Sequence, residues 1–236
     1  MLFGWFYFDW TILIVLPAMF FAFWAQIKVS STFEKYNRTI TRSGLTAAEA
    51  ARKMLDQNGL FNVQITQTPG SLTDHYDPRN RTLFLSQSVY ASRSTAAIGV
   101  ACHEAGHALQ HAKGYAPLKA RMAIIPICNL GSRASFPLFF IGLLVASTNV
   151  GAWLMFAGIA FFSLSTLFQL ITLPVEFNAS RRALEGMNSC GLLYGDELND
   201  ARKVLSAAAM TYVAALATSL LSLLRLIVIA NNNRRR

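Results

Sequence analysis

The chain has 236 residues, 53% of them hydrophobic and only 14% charged, with a formal net charge of +9. Soluble domains carry about 25% charged residues, so this deficit excludes an ordinary soluble enzyme and points to a membrane protein. The basic excess lies between apolar runs, as cytosolic loops of membrane proteins require, and no nucleic-acid-binding module accompanies it.

The first ten residues, MLFGWFYFDW, contain no Lys or Arg, and none occurs before Lys28. A cleavable signal peptide needs a basic start, so residues 1–27 read as a retained transmembrane anchor. Its apolar run covers about Trp10 to Ile27 and includes Pro17, which a membrane helix tolerates.

Residues 28–121 hold twelve basic and six acidic side chains and form the main polar domain. Thr46 and Glu49 make a capping box that opens a helix, and Asn58-Gly59 closes it. Phe61, Val63 and Ile65 alternate with polar residues as in a half-buried strand. Asp77-Pro78-Arg79-Asn80 is a turn, and Arg81–Ser86 a second strand, read here as an open edge that an extended peptide would join. Ser94 to Ala112 then reads as an alanine-rich helix, bounded by Gly114.

Residues 122–173 carry two further apolar runs, Phe136–Ser147 and Gly151–Leu173, separated only by the polar tip Thr148-Asn149. They predict a transmembrane helical hairpin. The first run must start near Ile124 to reach the ~20 residues a span needs, which puts Arg133 in its opening turns. Pro174 is expected to stop the second. Residues 174–203 form a helix, and 204–236 a last apolar run, Val204–Ala230, interrupted by Arg225 and followed by a basic tail. Arg234–Arg236 suit lipid headgroups or plain solvent.

Within the alanine-rich helix lies HEAGH, His103 to His107. Histidines at i and i+4 share one helix face a turn apart, so both imidazoles can meet one metal ion, zinc being the expected one. Glu104 sits beside that point and can take a proton from an attacking water. The chain has four histidines, and three fall within these nine residues, 103–111. His111 lies eight residues, or ~12 Å of helix, beyond His103, too far to share its ion. His75 is a weaker alternative ligand. Gly106 bares the helix surface, either for substrate or for close packing. Cys102 points about 100° away from His103 on a helix, so it reads as a buried hydrophobe. The three cysteines, Cys102, Cys128 and Cys190, form no disulfide framework.

An open zinc site needs a third protein ligand. Glu176 is the better candidate. The hairpin returns the chain to the same membrane side just where Glu176 emerges, and a carboxylate is a costly choice there unless it has work to do. Asn178 is placed to hydrogen-bond a ligand histidine.

At GLTAAEAARKMLD, DHYDP, HEAGHALQ, GYAPL and PVEFNASRRAL the chain resembles the YugP-like neutral zinc metallopeptidases of bacterial membranes. These pieces run from about Gly44 to Leu184. The resemblance implies a gluzincin-type site, with His103, His107 and Glu176 as zinc ligands and Glu104 as general base. It also implies peptide hydrolysis, which the residues alone do not reach. The expected fold is a mostly α membrane protein, with about four hydrophobic helices and a small α+β zincin-like domain carrying HEAGH. The expected partners are a peptide or protein substrate and the lipid bilayer. Positive-inside counting puts residues 28–121 and Glu176 in the cytoplasm, and the N-terminus and the 148–149 tip outside. A fourth span would then put the C-terminal arginines outside, against the bias; otherwise the last run lies along the protein or the interface. An intramembrane site-2-type protease would pair its helix with an Asp-Gly motif, and the chain has none. A non-catalytic zinc-holding scaffold would not need Glu104.

Overall fold

The computed structural model describes residues 9–234. Most of the predicted N-terminal start and the last two residues of the basic tail lie outside that range. The chain is mostly α-helical, with one three-stranded sheet. Among the described residues, four helices are long and apolar enough to cross a membrane: α1 (Ile12–Asn37), α5 (Ala116–Leu144), α6 (Asn149–Ser189) and α7 (Asp196–Arg234). The remaining elements are α2 (Ala47–Gln57), β1 (Gln64–Thr68), β2 (His75–Asp77), β3 (Thr82–Ser86), α3 (Gln87–Tyr90) and α4 (Thr95–Ala112).

The chain divides into two compact units, and each is discontinuous in sequence. One comprises residues 25–120 and 172–212 and contains the sheet, α2, α3 and α4. Its core is built on short side chains. Ala47, Ala50, Ala51, Met54 and Leu55 form the buried face of α2. Removing each large side chain such as Met54 or Leu55 from water stabilises the fold by about 1.5–3 kcal/mol. Thr46 caps α2 as its capping box requires: its hydroxyl accepts from the Glu49 amide, and the Glu49 carboxylate accepts from the Thr46 amide at 2.8 Å. Ser94 caps α4 in the same manner, accepting from the Ala97 amide at 3.1 Å.

The sheet order is β1-β3-β2, with β1 parallel and β2 antiparallel to β3. This corrects the expectation of an open edge at 81–86. β3 is the central strand, its side chains largely buried, and both of its ladders are taken. The free edges belong to β1 and β2. The strand expected around Phe61–Ile65 starts later, at Gln64, because its pairing with Thr82 sets the register. Phe61 itself is 75% exposed. Asp77 closes the predicted turn by accepting from the Arg79 amide at 2.9 Å and the Asn80 side chain at 2.7 Å.

A second correction concerns Pro174, which does not end a helix. α6 runs unbroken through it for 41 residues. Proline removes one backbone donor, and membrane helices absorb that loss more readily than soluble ones. Glu176 therefore stands in mid-helix, with Ser180 one turn beyond.

The other unit comprises residues up to 24, 121–171 and 213 onward. Here α1 and α7 run antiparallel. Arg225, the charge that interrupts the last apolar run, donates to Asp9 Oδ2 at 2.6 Å and to Thr11 Oγ1 at 3.1 Å. An otherwise costly cation is thus paired. Phe139, Met155 and Leu226 form a small core, against which Leu143, Ala146, Ile229 and Ala230 pack. The C-terminal end of α7 therefore lies beside the α5–α6 tip, at the same end of this unit as Asp9.

Candidate metal centre

α4 presents His103 and His107 on one face, with ring centroids 4.8 Å apart and planes at 86°. Across from them stands α6. Glu176 Oε2 lies 3.2 Å from His103 Nε2 and 3.5 Å from His107 Nε2. One donor atom from each of the three residues falls within a 4.8 Å cluster. The Glu176 side chain is 3% exposed and the two imidazoles 13% and 12%.

One glycine and two polar residues make this convergence possible. Gly106 faces α6 directly: a β-carbon there would meet the Ala179 carbonyl oxygen at 2.6 Å. The bare surface at Gly106 serves helix packing, and it brings α6 close enough for Glu176 to reach both histidines. At Gly99 a β-carbon would meet Ala201 Cβ of α7 only at 3.4 Å, an ordinary contact, so glycine is not demanded there. Gln110, fully buried, spans the two ligand-bearing helices. Its Oε1 faces His107 Nδ1 at 3.0 Å, and its Nε2 donates to the Val175 carbonyl at 2.7 Å and to Asn178 Oδ1 at 3.0 Å. Ser180 Oγ lies 3.1 Å from His103 Nδ1. Each histidine is thus held through Nδ1 and turns Nε2 toward Glu176.

Asn178 does not take the place expected for it. Its Oδ1 accepts from Gln110 Nε2 at 3.0 Å and from Arg182 Nε at 2.7 Å. Its influence on His107 passes through Gln110. Sequence reasoning missed Gln110 and Ser180. Their signal was present as spacing: Gln110 is three residues from His107 and Ser180 four from Glu176, both on the inward faces of their helices.

The remaining candidates fall outside the cluster. His111 Nδ1 faces the Tyr76 hydroxyl at 3.0 Å, and His75 stacks on Phe84 with centroids 4.7 Å apart. Burial pushes the Cys102 thiol up, away from the thiolate a metal would need. Glu104, 9% exposed, lines one cleft with His103.

The donor set suits zinc: two imidazole nitrogens and one carboxylate oxygen, with the far side of each imidazole already hydrogen-bonded. Burial opposes charge on His107, yet the Glu176 hydrogen bond and the Glu104 and Glu176 charges hold its pKa above the ordinary value. The site is thus a negative spot in a buried setting, the field a divalent cation meets favourably.

These features define a candidate zinc-binding membrane protein, and comparison with known proteins gives its family. Residues 11–231 match the family described as "Putative neutral zinc metallopeptidase", and the chain belongs to that family. It is 49% identical over 223 residues to the "Putative membrane protease YugP" of Bacillus subtilis (strain 168), a match covering 94% of this chain and 97% of that protein. No solved structure matches.

Proposed function

We propose that the protein is a multi-pass cell-membrane zinc peptidase whose active site faces the cytoplasm. The observation that carries this reading is the convergence of His103, His107 and Glu176, with Glu104 next along the helix. Its sign and donor types fit zinc, and the family and the curated relative supply the peptidase class.

Zinc held by these three residues would lower the pKa of a water toward ~7 and polarise a peptide carbonyl. The chain's own residues do the rest. With Nε2 of each histidine given to the metal, Nδ1 carries the proton. His103 then donates to Ser180 and His107 to Gln110, which fixes both ring orientations. Glu104 takes the proton of the attacking water and returns it to the leaving amine. Since β3 is central, an extended peptide takes the free edge of β2 instead. Asp74, directly before β2, lines the cleft shared by His103 and Glu104, so that edge leads to the site.

Glu104→Gln preserves shape and removes the base. Purified variant protein should keep wild-type zinc content and lose peptide cleavage by about 10²–10⁴-fold, the usual worth of a general base. Undiminished cleavage would remove Glu104 from the mechanism. Zinc binding without cleavage of any peptide by wild type would favour a zinc-holding scaffold.

A further inference from the structure

A cleft of about 240 Å³, lined on one side by His103 and Glu104, extends away from the metal ligands. Its apolar walls include Phe33 of α1, Leu72, and Val204, Leu205 and Ala208 of α7, and Thr211 and Tyr212 of α7 add polar groups. Phe33, Val204 and Leu205 are nearly buried, at 8%, 2% and 3% exposure, so this apolar floor is already packed in place. The carboxylates that line it are Asp74 and Glu104.

Leu72 is the unusual member. It is 43% exposed and holds a φ of +55°, a left-handed backbone that bulky L residues avoid. The loop on either side is pinned. Thr73 Oγ1 donates to the Pro69 carbonyl at 2.9 Å, and Asp74 accepts from the Ser86 amide at 2.7 Å and the Ser86 hydroxyl at 3.0 Å. A strained backbone that keeps an apolar side chain in the open at the wall of a cleft is typical of a functional site.

We infer that this cleft is the specificity pocket of the peptidase, taking a large apolar side chain next to the scissile bond and rejecting acidic ones. The inference rests on the peptidase reading above. Apolar walls favour a leucine or phenylalanine side chain over alanine through the area each removes from water. An acidic side chain would enter against the Asp74 and Glu104 carboxylates and give up part of its hydration there. Leu72 serves as the lip that closes over the bound side chain, and Ala208 leaves the room it fills.

The test uses the full chain, purified with zinc in detergent, and peptides identical except for one residue beside the cleavage point. Cleavage is followed by mass spectrometry. For wild type, kcat/KM for Leu or Phe should exceed that for Ala by roughly tenfold or more, a difference within reach of a few buried methylenes. Glu should be slowest. Ala208→Phe fills the pocket and should invert the order, losing the large residues while Ala is still cleaved. Leu72→Asn places a residue that accepts the left-handed backbone. It should keep the thermal stability and zinc content of wild type while flattening the apolar preference. Asp74→Asn should raise cleavage of the Glu peptide. A wild type that cleaves without apolar preference, or an Ala208→Phe variant slowed equally on every peptide, would overturn the pocket and leave the peptidase standing. A zinc-loaded wild type that cleaves none of them overturns both.

Discussion

Gly106 of α4 lies against Ala179 of α6, at a distance where a single methyl group would strike the Ala179 carbonyl oxygen at 2.6 Å. The contact joins the residue just before His107 to the turn following Glu176. Neither helix can yield without moving a ligand. Gly106→Ala would gain helix propensity yet should destabilise the protein by about 1–3 kcal/mol through overpacking. Zinc affinity should fall with it, because Glu176 is pushed away from the histidines. Thermal unfolding and competition with a chelator read the two effects. Unchanged zinc affinity would show that α6 adapts without displacing Glu176.

Gln110 bridges the two ligand-bearing helices through three hydrogen bonds. Gln110→Leu keeps the volume but strips His107 of its hydrogen-bond partner and leaves the Val175 carbonyl without its side-chain donor. Zinc affinity should drop about 10–100-fold, the usual cost of losing such a partner. Ser180→Ala removes one hydrogen bond and should cost less. Titration with a zinc indicator would rank the two, and the reverse order would mean that His103, not His107, depends more on its support.

The ligand set separates in a metal-content experiment. Wild type and His111→Ala should hold zinc after gel filtration, whereas Glu176→Ala should lose it. His111 is committed to Tyr76 on another flank of α4. Zinc should also raise the melting temperature of wild type and His111→Ala, since a ligand that binds only the folded state stabilises it. Glu176→Ala should not respond. Zinc lost only with His111 would refute the site.

Helix order within one unit makes a topological prediction. Asp9 pairs with Arg225, and Asn149 lines one cavity with Ala230 and Asn231. Single cysteines at Trp10, Thr148 and Asn232 should therefore label from the same side of the membrane, with a membrane-impermeant thiol reagent on intact cells. The native cysteines are buried and should stay silent. Labelling of 232 from the opposite side would mean that the last helix does not cross. The basic tail beyond it would then obey the charge bias that the helix order breaks.

Whatever depends on neighbours along the chain could be read directly from the sequence. The i, i+4 spacing of His103 and His107, the Thr46–Glu49 capping box and the four apolar runs follow from helix geometry and transfer energetics alone. Even Glu176 could be nominated, because two apolar runs and a short tip leave the chain few ways to return. The tertiary structure decided what depends on partners far apart in sequence. Gln110 meets the Val175 carbonyl across 65 residues, and Ser180 meets His103 across 77. Pro174 looked like a stop because its local cost is visible and the surroundings that absorb it are not. Residues 82–86 looked like an edge because a strand's neighbours are not written in its own alternation. Spacing brought the two histidines to one face; only the close seating of α6 on Gly106 could bring Glu176 to meet them.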